Sequence, residues 1–150
     1  MCGSQVSASD FDRDGDLDLF ICGRVDLENY PLPPRSYLLQ NESDASQIRF
    51  TDVTDSCCNE LLKPGLASAA LWTDFDRDGW TDLLVCGDWM PVRIFRNMGG
   101  RFDEYTESSG LAVYKGWWNS LLGSDFDKDG DTMLPNICKL HHLYCIQRGD

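Results

Sequence analysis

Three hexapeptides in this chain place aspartate at alternate positions and end in glycine: Asp10-Phe11-Asp12-Arg13-Asp14-Gly15, Asp74-Phe75-Asp76-Arg77-Asp78-Gly79 and Asp125-Phe126-Asp127-Lys128-Asp129-Gly130. Oxygen donors at that spacing suit a hard cation. Calcium takes roughly six to eight oxygens at about 2.3–2.6 Å, so a chain that binds it must turn tightly enough to bring several carboxylates to one point. Aspartates at loop positions one, three and five can do this, and glycine at position six permits the sharp turn. The backbone carbonyl at position seven, from Asp16, Trp80 or Asp131, offers a further oxygen. A fourth carboxylate returns at position nine as Asp18 and Asp82, where the third loop has Met133. A thioether is a poor calcium ligand, so the third site is expected to be weak or empty. Arg13, Arg77 and Lys128 fill position four, where a cation pointing away from the ion offsets surplus negative charge.

The charge distribution agrees with this chemistry. The formal net charge is −12, from 25 acidic and 13 basic residues. Thirteen of the acidic residues lie in the three short loops: Asp10, Asp12, Asp14, Asp16 and Asp18; Asp74, Asp76, Asp78 and Asp82; Asp125, Asp127, Asp129 and Asp131. A merely solvated acidic surface would scatter them. The balance argues against nucleic-acid and anionic-membrane binding, which need a positive surface. The apolar runs, such as Leu19 to Cys22 and Leu83 to Cys86, are far shorter than the roughly 20 residues of a membrane-spanning helix. No basic region followed by an apolar run opens the chain, so no signal peptide is read there.

The elements that must position these loops emerge from internal repetition. The three loops are offset by 64 and 51 residues, and the likeness extends beyond them: Tyr37-Leu38-Leu39-Gln40-Asn41 answers Ile94-Phe95-Arg96-Asn97, and Phe50 to Thr54 answers Phe102 to Thr106. Within one unit, short apolar segments around Ala69 to Thr73, Thr81 to Cys86, Val92 to Arg96 and Arg101 to Thr106 read as four strands separated by turn residues. No stretch carries sustained helical periodicity. The proline-rich segment from Asp26 to Arg35 reads as a surface insertion. A helix–loop–helix calcium sensor would need a bidentate Glu at loop position twelve, where this chain has Ile21, Val85 and Asn136. Cys22 and Cys86 occupy matching strand positions and are expected to be buried thiols, with Cys57 and Cys58 an ordinary loop pair. Seven cysteines at these spacings define no disulfide framework.

The loop D-x-D-x-D-G-x-x-D running straight into a strand resembles the FG-GAP or VCBS repeat, the unit of integrin α-subunit propellers and of many bacterial surface proteins. Ala70 to Gly79 and Arg93 to Asn97 look especially like the VCBS form, and the resemblance covers roughly residues 4–132. It implies an all-β fold: a partial β-propeller of two four-stranded blades, at roughly 4–66 and 67–115, and the start of a third at 116–132. Residues 133–150 are expected to form an aberrant, poorly ordered tail. Carried over by residue, the calcium ligands would be Asp10, Asp12, Asp14 and Asp18 in one site and Asp74, Asp76, Asp78 and Asp82 in the other, with Asp125, Asp127 and Asp129 incomplete in the third. A closed propeller needs about four to eight blades, so further blades of a parent protein or self-association are expected. The resemblance implies a calcium-binding structural or adhesion module of a secreted, periplasmic or cell-surface protein, with a protein or carbohydrate partner. The alternative is an accessory propeller of a larger extracellular enzyme of lyase or lipase type.

No catalytic residues are expected, because the repeats hold no nucleophile with a histidine partner, no nucleophile elbow and no phosphate-cradling loop. The only histidines, His141 and His142, lie with Cys138 and Cys145 beyond the repeats. That group could offer zinc ligands, but its position outside the repeat favours coincidence, as it does for the terminal Arg148-Gly149-Asp150. Asn41-Glu42-Ser43 fits an N-glycosylation acceptor. Trp72, Trp89, Trp117 and Trp118 are read as blade-to-blade packing ahead of a binding groove.

Overall fold

The computed structural model describes residues 2–124 together with the strands 133–139 and 142–146. The first unit is a four-stranded antiparallel sheet of β1 (Cys2–Ser9), β2 (Asp18–Val25), β3 (Tyr37–Asn41) and β4 (Phe50–Asp52), each paired to the next. The second repeats the order with β5 (Leu66–Thr73), β6 (Asp82–Met90), β7 (Arg93–Asn97) and β8 (Phe102–Glu104). A third begins with β9 (Gly116–Ser124), which touches the end of β6 through the pairs Asp88↔Trp117 and Met90↔Gly116. The protein is thus an all-β partial propeller. Among the described residues helix is confined to single turns, at Thr54–Cys57, Asn59–Leu61 and Leu111–Val113. Among the described residues no helix is long and apolar enough to cross a membrane.

The sequence beyond residue 132 departs from the repeat, yet the structure places β10 (Met133–Lys139) against β9 and β11 (His142–Ile146) against β10, both antiparallel. Strand pairing is made by backbone groups that every non-proline residue carries, so it does not need the repeat's side-chain consensus.

Side chains alternate across a strand with period two, and both faces of the middle sheet are buried. Leu83, Val85 and Phe95 join one core cluster with Phe20, Cys22 and Leu38 from the first sheet. Leu84, Cys86 and Ile94 point the other way, into a cluster with Val92, Leu111 and Trp118. With the offset of the repeat, Phe20 and Cys22 match Leu84 and Cys86, so each sheet lays the same face on the next. The opposite face of the first sheet, carried by Leu19, Ile21 and Leu39, is only half buried.

The matched segments earn their likeness through one buried hydroxyl. Thr54 Oγ1 accepts the Leu38 amide at 2.8 Å, and Thr106 Oγ1 accepts the Ile94 amide at 3.1 Å, tying the end of each unit to its third strand. Cys22 and Cys86 are fully buried free thiols, as their positions predict. The insertion at 26–35 lies outside the sheet and is largely exposed.

Candidate metal centres

Each acidic loop joins the first two strands of its sheet, with residues 10–17 between β1 and β2 and residues 74–81 between β5 and β6. The aspartates turn the backbone themselves. In the first loop Asp12 Oδ1 accepts the Asp14 amide at 3.2 Å, Asp14 Oδ1 that of Asp16 at 2.9 Å, and Asp10 Oδ2 that of Gly15 at 3.1 Å. The second loop repeats this with Asp76 and Asp78 at 3.2 Å, Asp78 and Trp80 at 2.8 Å, and Asp74 and Gly79 at 2.9 Å. Short acidic side chains bonding to amides two residues on are the local chemistry of tight turns. The turn requires left-handed backbone at Gly15 (φ 97°) and Gly79 (φ 89°), which glycine adopts without a Cβ clash. Arg13 and Arg77 at position four share φ 64°.

Position nine holds the loop to the sheet. Asp18 and Asp82 open β2 and β6 and are fully buried. Asp18 accepts amides from Asn41 at 2.8 Å and Phe11 at 3.1 Å, and Asp82 from Asn97 at 2.8 Å and Phe75 at 2.7 Å. Burial raises the Asp18 carboxyl pKa in spite of its amide bonds. It pushes that of Asp82 up to about 6, against the amides of Asn97 and Phe75 and with Asp76 and Asp78 adding to the rise. A nearby cation would reverse this by favouring the ionised form.

The structure brings donor oxygens of Asp10, Asp12 and Asp18 within 4.8 Å of one another, and likewise those of Asp74, Asp76 and Asp78. Asp14 stands outside the first of these sets and Asp82 outside the second. Asp10 Oδ1 and Asp74 Oδ1, at the same place in the two loops, are buried without a hydrogen-bond partner. Buried polar atoms are rarely left unpaired, and a lone carboxylate oxygen among other carboxylates fits a hard cation. The donor set of both loops therefore suits a metal ion bound through oxygen.

Two flanking side chains escaped the sequence reading. Gln40 Nε2 donates to Asp12 Oδ2 at 2.6 Å, while its counterpart Arg96 pairs through Nε with Asp76 Oδ2 and lies 3.8 Å from Asp78 Oδ2 through Nη2. The matched segments of β3 and β7 carry the signal, but only the packing of the hairpin beside the loop shows which carboxylates they reach. Arg13 leaves its own loop and crosses to the next, where Nη2 donates to the Gly79 carbonyl and the guanidinium lies 4.0 Å from the centre of the Trp80 ring. Phe11 is a core plug between sheets, stacked on Trp72 and packed on Phe102 at 5.7 Å.

The tryptophans divide. Trp72 packs against the inter-sheet core and Trp118 is buried, whereas Trp89 and Trp117 are about half exposed and pack together at 6.4 Å. Asn41 spends its amide nitrogen on the Leu17 carbonyl at 3.2 Å and its oxygen on the Ser43 amide at 3.0 Å, so the glycosylation acceptor is engaged within the fold. The third loop, with Asp125, Asp127, Asp129 and Asp131, lies outside the described residues, as do the side chains of Met133, Cys138, His141, His142 and Cys145 and the terminal Arg148-Gly149-Asp150.

Four-stranded sheets stacked face to face, each with an aspartate-rich loop between its first two strands, define a β-propeller-type repeat module. Residues 74–134 match the model of a family described as the FG-GAP-like repeat. The matched segment opens on Asp74, the first residue of the second acidic loop. No curated protein matches the chain.

Proposed function

We propose that the two described loops bind calcium, and that the module serves as a calcium-stabilised structural or binding unit of a protein outside the cytoplasm, without catalysis of its own. The observation that carries this reading is shared by both loops: three converging carboxylates, at positions one, three and nine in the first and one, three and five in the second, and a buried, unpartnered Oδ1 at position one. The first ligand set is Asp10, Asp12 and Asp18 with the Asp16 carbonyl, the second Asp74, Asp76 and Asp78 with the Trp80 carbonyl. Asp14 and Asp82 are close enough along the chain to complete the sets. Calcium turns mutual repulsion among these carboxylates into a cross-link between strands, and stabilises the fold as any ligand of the native state does. Modules of this kind outside the cell commonly bind in the range of about 10⁻⁴ to 10⁻³ M. The resemblance to this repeat family supports an extracellular or surface location, and the partner would be a protein or a carbohydrate.

The test is a calorimetric calcium titration of the chain beside a variant carrying Asp12→Ala and Asp76→Ala, with circular dichroism at each end point. Binding that the variant loses, on a β-rich spectrum, supports the reading. A β-rich chain that takes up no calcium at millimolar concentration would refute it.

A further inference from the structure

The two acidic loops are joined by two bridges. The buried one runs through Asn97, which is fully enclosed. Its backbone N–H donates to Asp82 Oδ1 at 2.8 Å, and its side-chain Nδ2 donates to the Phe11 carbonyl at 2.7 Å and to the Thr81 carbonyl at 3.0 Å. Its Oδ1 accepts the Gly100 amide at 2.8 Å. Phe11 in turn gives its own N–H to Asp18 Oδ2. An unbroken chain of hydrogen bonds thus leads from the position-nine carboxylate of the first loop, through Phe11 and Asn97, to the position-nine carboxylate of the second. The exposed bridge is Arg13, whose guanidinium sits on the Gly79 carbonyl and the Trp80 ring of the second loop. Trp80 itself carries the carbonyl that position seven offers a cation, and Gly79 precedes it.

We infer that Asn97 and Arg13 are positioning residues that couple the two loops, so that a divalent cation bound in one raises the affinity of the other. This rests on reading the loops as cation sites. The sign follows from ordering. A cation that draws in Asp10, Asp12 and Asp18 fixes the Phe11 carbonyl and the Arg13 backbone, which are the groups the second loop leans on. The second loop then has less freedom left to lose on binding. Repulsion between the two cations opposes this, but the loop tips are exposed and salt screens charges there. Asn41 repeats part of the arrangement in the first unit, with its N–H on Asp18 and its Nδ2 on the Leu17 carbonyl, the match of Thr81.

The experiment is a calcium titration by calorimetry on the full chain, with the third loop silenced throughout by Asp127→Asn. Asp10→Asn leaves the second loop alone and Asp74→Asn leaves the first alone. The product of these two single-site constants is compared with the overall constant for loading both loops. The overall constant is expected to exceed the product by about fivefold or more, the lower end of ordinary coupling between sites. In the background of Asn97→Ala with Arg13→Ala, the two quantities become equal while each loop still binds. Should Asn97→Ala fail to fold, Arg13→Ala alone, at an exposed position, must reduce the excess. Equality in the unmodified background overturns the coupling. Absence of any calcium uptake overturns the site reading on which it stands.

Discussion

Asn97 donates its side-chain amide to the carbonyl of Phe11 at 2.7 Å, across 86 residues of sequence, and so pins the first acidic loop to the third strand of the next sheet. Phe11 is 2% exposed and fills the space between Trp72 and Phe102. Removing a buried ring of this size leaves a cavity that its neighbours only partly close, at a cost of about 3–5 kcal/mol. Phe11→Ala is expected to lower stability in urea unfolding by that amount. Phe75→Ala, at the same place in the second loop but only half buried against Tyr105, should lower it less.

Arg96 stands where the first unit has Gln40, and its guanidinium pairs with the very carboxylates that would hold a cation in the second loop. A tethered positive charge competes with a mobile one. Arg96→Gln is therefore expected to tighten calcium binding at the second loop by about threefold to tenfold, since a unit charge a few ångströms away near a protein surface is worth about a kilocalorie or more. The gain should shrink as salt is raised. Calorimetry on the Asp10→Asn background, with and without Arg96→Gln, measures it directly.

Asp82 sets a pH dependence. Its folded pKa of about 6 lies above the ordinary 3.8, so the folded chain binds this proton more tightly than the unfolded one. The associated stability is fully present below about pH 4 and is lost as pH rises through 6. Calcium needs the ionised carboxylate nearby, so its effect runs the other way. In chelator, the melting temperature of the unmodified chain is expected to fall relative to Asp82→Asn between pH 4.5 and about 7, whereas the rise in melting temperature on adding calcium should grow over the same interval. A chelated difference that stays flat with pH would count against the raised pKa.

Burial pushes the thiols of Cys22 and Cys86 up to about 12, each lining the face that its sheet lays on the next. The thiolate is the reactive form, so both should resist alkylation at pH 8 under native conditions while the exposed Cys2 is modified. Peptide mapping by mass spectrometry separates the three. Their folded pKa exceeds the ordinary value of 9, so stability holds below about pH 9 and declines as pH rises toward 12, by about 1.4 kcal/mol per unit for each thiol. Replacing both with valine should flatten that alkaline decline.

Gly79 has φ 89°, and a Cβ there would come within 3.2 Å of Arg13 Nη2. Gly79→Ala is expected to destabilise the chain by about 1 kcal/mol or more, because L side chains resist this conformation. It should also weaken calcium binding at the second loop, by moving the turn that aims Asp74 and the Trp80 carbonyl. Gly15→Ala, where nothing lies within 4 Å, should show the conformational effect without the Arg13 contact.

What this chain settles within nine residues was legible in its sequence. Asp10, Asp12 and Asp14 bend their own backbone by bonding to amides two to five residues ahead, Gly15 takes the left-handed turn, and the second loop does the same. Such contacts depend on spacing alone, so the loops, the strands that follow them and the repeat that carries them could be read without coordinates. The tertiary structure decided what depends on which surface lies opposite. It made Phe11 a plug for the neighbouring sheet, sent Arg13 to the next loop, set Gln40 and Arg96 beside different acidic clusters, and packed Trp72 on the inter-sheet core and buried Trp118 while leaving Trp89 and Trp117 half exposed. It also paired β10 with β9 and β11 with β10 where the repeat pattern had ended. The reason is common to all of these: a turn closes through bonds between residues adjacent in sequence, whereas burial and long-range pairing are fixed only when distant segments are stacked.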